Sequence, residues 1–251
     1  MHENKTEEQD ILNFALNLEY LEAEFYTYAI TGKSITSFGI GVKGDASGAN
    51  PPDGGTSIGG KQVTFSEDGS FTRDVIAQIG ADERAHVVLL RGALGASAVA
   101  MPSIDLGALG FGFGSQHDFL RAARILEDIG VTAYAGAAGF LKTPDIITAA
   151  ACLLGAEAQH AAAIRTQIAR LKIPTTAVDD VDIVPPPSGQ AKHVFSIKDS
   201  DGLVATRTAG QVLYLAFGGK AGVNQGGFFP RGLNGAIASS TGPATESKVA
   251  A

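Results

Sequence analysis

The run Gln78-Ile79-Gly80-Ala81-Asp82-Glu83-Arg84-Ala85-His86-Val87-Val88-Leu89-Leu90 decides the fold of this chain. Most of its residues favour helix. On a helix, Glu83 and His86 lie one turn apart on one face, so their tips can converge on a single ion. The same spacing returns at Glu157-Ala158-Gln159-His160, in a second helix-favouring segment. Chance would place on the order of 0.2 such pairs in a chain with this many glutamates and histidines, so two of them ask for a reason. Each pair alone has a plain reading, a helix-surface histidine beside the glutamate one turn back. A second echo weighs against it. Glu19 is followed seven residues later by Tyr26, and Glu127 seven residues later by Tyr134. Each half of the chain therefore carries Glu-x6-Tyr and then Glu-x-x-His. That is the donor set of a di-metal carboxylate four-helix bundle: one Glu from each of two helices, and a Glu-x-x-His pair from each of the other two.

Working outward, the spacing predicts a first helix over about 7–31. Ile11, Phe14, Leu18, Leu21, Phe25 and Tyr28 form an apolar stripe, with Ala15, Glu19, Glu22 and Tyr26 on the stripe beside it. Carboxylates flanking a core face are either partly solvated, the reading for Glu24, or bind something. Glu19 is preferred as a ligand, with Glu22 in reserve. Helix 2 is expected over about 72–94, helix 3 over about 116–141 and helix 4 over about 144–171. Phe119, Ala123, Leu126, Glu127, Gly130, Tyr134 and Ala137 mark the inward side of helix 3. Thr143-Pro144 reads as a capping hydroxyl followed by a first-turn proline.

Two Gly-rich links separate these helices. The loop over 32–70, with a short Val63-Thr64-Phe65 that can extend, is long enough to be functional, oligomeric or mobile. The link from Gly95 to Gln116 has about 20 residues and can span roughly 60 Å, the length of a bundle. After Pro174 the chain turns acidic and proline-rich, then offers a short strand at Val194–Ile197 and a short capped helix over Thr208–Phe217. The segment Gly226-Gly227-Phe228-Phe229-Pro230 is too small to bury its own aromatics, so it should cover the bundle or a neighbouring subunit. The residues after Ala238 are expected to fray.

Composition narrows the function classes. A chain of 251 residues that is 45% hydrophobic and 18% charged can build one sizeable core. Its net charge of −7, with no basic stretch, argues against nucleic acid as a partner. Cys152 is the single cysteine; in its apolar run it reads as a small buried hydrophobe. No uninterrupted apolar run reaches membrane-spanning length, and no membrane span is expected. The polar N-terminus has no basic start or apolar h-region. As written the chain reads as cytoplasmic, or as exported if a signal has been removed.

Helix 1 (Glu19-Tyr20-Leu21-Glu22-Ala23-Glu24-Phe25-Tyr26), Glu127 and the Glu83/His86 and Glu157/His160 pairs resemble the ferritin-like superfamily, which includes rubrerythrins and manganese catalases. The run from Ala15 to Tyr26, together with Gly226-Gly227-Phe228-Phe229-Pro230, is similar to desiccation-related ferritin-like domain proteins. The resemblance covers most of the chain. It implies a mainly α protein, a ferritin-like four-helix bundle over 1–172 with a long crossover, and an irregular C-terminal extension over 173–251. It implies two iron or manganese ions, bridged by Glu83 and Glu157, capped by His86 and His160, with Glu19 and Glu127 as terminal ligands. Four carboxylates against two divalent cations make a neutral site that can be buried. Tyr26 and Tyr134 either bond the terminal carboxylates from across the bundle or are plain core aromatics. The implied activity is oxygen or peroxide handling in oxidative or desiccation stress, by an oxidase, peroxidase or catalase that forms a homo-oligomer. No rubredoxin-type cysteine pair for electron transfer is present, which argues against a rubrerythrin-like peroxidase cycle. The alternative is a structural or assembly-forming protective protein with a structural or vestigial metal site.

Overall fold

A computed structural model describes residues 2–44, 53–68, 70–191, 193–195 and 202–245, with side chains from residue 7 onward. Four long helices form a bundle: α1 (His2–Thr31), α2 (Phe71–Leu94), α3 (Gln116–Ala137) and α4 (Pro144–Arg170). A short helix, α5 (Ala209–Ala216), follows in the C-terminal extension. Two dipeptide strands, β1 (Ser57–Ile58) and β2 (Ile104–Asp105), pair in parallel. The contacts fix the directions. His86 meets Glu19 while Arg84 meets Thr27, so α2 runs antiparallel to α1. Tyr26 meets Glu127 while Tyr134 meets Glu19, so α3 does too. Two helices that both oppose α1 are parallel to each other, and the chain must travel the length of the bundle between them. The segment between α2 and α3 makes that journey.

The local signals explain the boundaries. Ser115 caps α3 by accepting from the Asp118 N–H at 3.1 Å. Thr208 and Gln211 form a reciprocal capping box on α5. Thr143, expected to cap α4, does not: its hydroxyl donates to Glu8 Oε2 at 2.7 Å, and Glu8 Oε1 accepts the N–H groups of Lys142 and Thr143. An α1 carboxylate has taken the capping work, which ties the start of α4 to α1.

Burial corrects three further expectations. α1 is buried on nearly every side from Leu12 to Thr27 rather than along one stripe. The crossover and the extension cover its outer face: Asn13 accepts from the Val99 N–H, and Asn17 exchanges hydrogen bonds with Asn234. Glu24 is fully buried, not solvated, and accepts from the Ser34 hydroxyl at 2.6 Å. Cys152 is exposed, one residue off the buried stripe of α4 that carries Leu153, Glu157 and His160.

The loop over 32–70 is zipped onto the crossover by the β1–β2 pair and by the bonds Met101 N–H to Val42 O and Gly55 N–H to Met101 O. Val63 and Phe65 are buried without forming a strand. The extension lies against its own bundle. Phe228 and Phe229 are buried, and the Phe228 carbonyl accepts from the Asp105 N–H of the crossover. The buried Arg207 guanidinium grips both oxygens of Asp179 and the Thr132 hydroxyl, and its backbone N–H donates to the Thr132 carbonyl. Arg124 adds a bond to Asp182 at 2.8 Å. Val194 and Phe195 lie in a bend rather than a strand; Ile197 is outside the described residues. The stretch after Ala238 is not frayed as far as residue 245, since Ser240 and Ala244 are buried and the Ser240 N–H donates to Val223 O. α4 is long and apolar enough to cross a membrane by length and composition alone. In this fold it packs on α3 and buries Glu157, His160 and Arg165, groups that lipid would penalise.

Candidate metal centre

Midway along the bundle the four long helices bring six side chains to one place. Glu19 comes from α1, Glu83 and His86 from α2, Glu127 from α3, and Glu157 and His160 from α4; all are buried. Their donor atoms fall into two groups, each with all atoms within 4.8 Å of one another. The first is Glu19, Glu83, His86 and Glu157; the second is Glu83, Glu127, Glu157 and His160. Glu83 and Glu157 belong to both. His86 Nδ1 lies 3.2 Å from Glu19 Oε2, 3.2 Å from Glu83 Oε2 and 3.5 Å from Glu157 Oε1. His160 Nδ1 lies 2.8 Å from Glu83 Oε1 and 3.5 Å from Glu127 Oε2.

The tyrosines cross between the halves. Tyr134 donates to Glu19 Oε1 at 2.5 Å, and Tyr26 donates to Glu127 Oε1. Each outer glutamate thus has one oxygen held by the opposite half, leaving the other turned to the cluster. Asp82 Oδ2 stands 3.2 Å from His160 Nε2, on the far side of the ring from the carboxylates. A carboxylate there fixes the ring and its tautomer. No sequence signal singled out Asp82, because an acidic residue beside Glu83 on a helix reads as solvent-facing.

The packing is tight where the halves meet. A Cβ on Gly130 would stand 2.4 Å from Glu157 Oε2, so only glycine lets α3 come this close. Glu22 lies near the same spot, with Oε1 3.4 Å from that notional Cβ. It is a fifth buried carboxylate at the cluster.

The electrostatics follow from burying so many acids together. Burial pushes the Glu83 carboxyl up to about 7, with His160 and His86 opposing the rise. Burial, and then the Glu83 charge, hold Glu157 well above the carboxylate range. Burial, and then Glu157, do the same to Glu22. Burial pulls His160 down, but the facing Glu127 and Glu83 outweigh it and push the imidazole up to about 12.

Among the described residues, Glu127 Oε2 and both oxygens of Glu157 are buried without a hydrogen-bond partner, while Glu83 Oε1 and His160 Nδ1 face each other at 2.8 Å outside hydrogen-bonding geometry. Such orphaned groups are costly in a packed interior. Two divalent cations shared by these donors would satisfy all of them and cancel the charge of Glu19, Glu83, Glu127 and Glu157, so the residues fit a di-metal group.

A model of the ferritin-like domain family matches residues 7–170. The desiccation-related protein PCC13-62 of Craterostigma plantagineum is 31% identical over 172 residues. That similarity covers 62% of this chain and 51% of the plant protein, so the chain spans about half the length of that relative.

Proposed function

The chain belongs to the ferritin-like domain family, and on that premise we propose that it is a di-iron or di-manganese carboxylate protein that handles dioxygen or peroxide under oxidative or desiccation stress. One observation carries the reading. Two four-donor groups share Glu83 and Glu157, which is what a pair of bridged ions requires and what two separate ion pairs would not produce.

In this reading Glu83 and Glu157 would be shared by both ions, Glu19 and His86 would hold one, and Glu127 and His160 would hold the other. Mixed carboxylate and imidazole ligation suits iron or manganese better than magnesium or calcium. Such ions, when bound, would supply one-electron redox chemistry and Lewis acidity. The protein's own part is to hold the carboxylates in register through Tyr26 and Tyr134, to orient His160 through Asp82, and to exclude bulk water by packing around the centre. The stress role follows the name of the plant relative. Assembly into a homo-oligomer is part of the proposal; Phe228 and Phe229 would not be its contact, since both are buried in their own chain.

Elemental analysis tests the assignment. Purified protein should hold about two iron or manganese ions per chain, and Glu83→Ala and Glu157→Ala should each lose most of both, because either change strips a shared ligand. Unchanged metal content in both variants would sink the assignment. Glu127→Gln should keep the fold and lose dioxygen or peroxide consumption. A wild type that turns over no oxidant, yet melts earlier once its metal is removed, would instead favour a structural site in a protective assembly.

A further inference from the structure

An apolar cavity of about 30 Å³ lies between α1 and α3. Its inner end is bounded by Glu19, Glu22, Gly130 and Tyr134, at the metal centre; half-buried Ile11 and Ala150 bound its outer part. The walls between are hydrocarbon, from Phe14, Leu18 and Ala133 among others.

The cavity exists because the two halves of the bundle differ. The register that matches Glu19 with Glu127 and Tyr26 with Tyr134 also matches Phe25 with Ala133, and Ile11 with Phe119. On one side of the centre Phe25 stacks on Phe119, ring centroids 4.6 Å apart and nearly parallel, and fills the gap between the helices. On the other side the equivalent positions carry Ala133 and Ile11, and the gap stays open.

The geometry points to this cavity as the route and resting site for dioxygen on its way to the metal centre. The inference rests on the proposed oxygen chemistry and narrows it. A water fits in roughly 10–15 Å³ of such space, so 30 Å³ admits a diatomic molecule. The walls choose between the oxidants. Hydrogen peroxide would shed its hydrogen bonds to water and find none along the hydrocarbon walls. Dioxygen forms almost none to shed. An apolar cavity of this kind also stays dry and takes up apolar gases.

Xenon is the probe for the site, and it needs no metal. Apoprotein under xenon pressure should bind one atom between α1 and α3, seen as anomalous density in a crystal or as a shifted ¹²⁹Xe resonance. Ala133→Phe, which places on this side the ring the other half already carries, should abolish that signal. Ala133→Leu is the milder variant if phenylalanine impairs folding. In stopped-flow mixing of ferrous-loaded protein with dissolved dioxygen, the plugged variant should bind ferrous iron at the wild-type stoichiometry while its second-order rate with dioxygen falls by about tenfold. Wild-type protein with no xenon in the cavity overturns the inference. So does a plugged variant that loses xenon but consumes dioxygen at the wild-type rate, and this second result leaves the di-metal reading standing. Metal-loaded wild type that consumes no dioxygen at all overturns both.

Discussion

Three residues after Glu19, the α1 half of the bundle carries Glu22, where the α3 half carries Gly130 three residues after Glu127. One residue before Glu83, α2 carries Asp82, where α4 carries Ala156 before Glu157. The donors themselves match across the halves: Glu19 with Glu127, Tyr26 with Tyr134, Glu83 with Glu157, and His86 with His160. A duplicated pattern has thus kept its donors and diverged in what surrounds them. The differences decide which side of the centre is open and which imidazole is braced. They also show why the helices could not be equally bulky. Glu157 Oε2 stands 2.4 Å from where a Cβ on Gly130 would be, so the α3 half has no room for a side chain at the position where the α1 half carries Glu22.

Substitution at Gly130 should break the comparison most severely. In Gly130→Ala the new methyl group would stand 2.4 Å from Glu157 Oε2, so α3 must retreat or a shared carboxylate must turn away. Alanine gains about 1 kcal/mol in helix propensity over glycine, while overpacking costs about 1–3 kcal/mol. The net change in folding stability is therefore small, but metal content should fall well below that of the wild type. Glu22→Gln, at the matching position, should keep both ions because Glu22 belongs to neither four-donor group. Elemental analysis beside thermal unfolding checks the pair. Equal metal content in the two variants would mean that the halves are interchangeable at this position.

Asp82 offers a smaller and one-sided effect. It braces His160, and the matching position before Glu157 is Ala156, so among the described residues His86 has no equivalent carboxylate and Asp82→Ala should weaken one ion and spare the other. Losing such a partner typically costs 10–100-fold in metal affinity, and the exposed position of Asp82 puts the expected loss near tenfold. Titration of apoprotein with ferrous or manganous ions should then resolve two unequal steps. A single step unchanged from wild type would show that packing alone holds the ring.

Much of this architecture was legible because its signals are local. The four helices follow from apolar periodicity and from Gly and Pro at their ends. Glu83/His86 and Glu157/His160 stood out because helical spacing puts Glu and His on one face without any tertiary knowledge, and Glu19 and Glu127 because each has a tyrosine seven residues on. What stayed hidden depends on long-range contacts. Nothing near Thr143 reveals that Glu8, more than a hundred residues away, does its capping. Cys152 sits in an apolar run, yet only the packing of α4 decides which side of the helix faces out. Arg124 and Arg207 look like surface cations until Asp182 and Asp179 arrive from the extension to bury them. Ala133 carried no signal as sequence; its meaning comes from Phe25 at the matching position of the other half.

A pH-dependent effect concerns the outer faces of α1 and α3, where the halves again match in position and differ in chemistry. Glu24 and Thr132 occupy equivalent places, and each anchors an appended segment to the bundle. Glu24 Oε1 accepts from Ser34 of the 32–70 loop, and Thr132 accepts from Arg207 of the extension. Only the α1 anchor can titrate. Burial, opposed by the Ser34 bond, raises the Glu24 carboxyl from its ordinary 4.5 to about 6, and its Oε2 is buried without a hydrogen-bond partner among the described residues. The folded protein therefore holds this proton more tightly than the unfolded chain does. The associated stability is fully present below pH 4.5 and is lost as the pH rises to about 6, a change of about 2 kcal/mol before any solvent screening. Glu24→Gln can still accept from Ser34 but cannot ionise, so its stability relative to wild type should improve steadily across that window and level off above it. Thr132→Val removes the matching anchor with no titrating group and should shift stability by the same amount at every pH. Denaturant unfolding of the three proteins between pH 4.5 and 6.5 measures these differences. A Glu24→Gln curve parallel to wild type throughout would mean that the Glu24 carboxyl is as well solvated in the folded protein as in the unfolded chain.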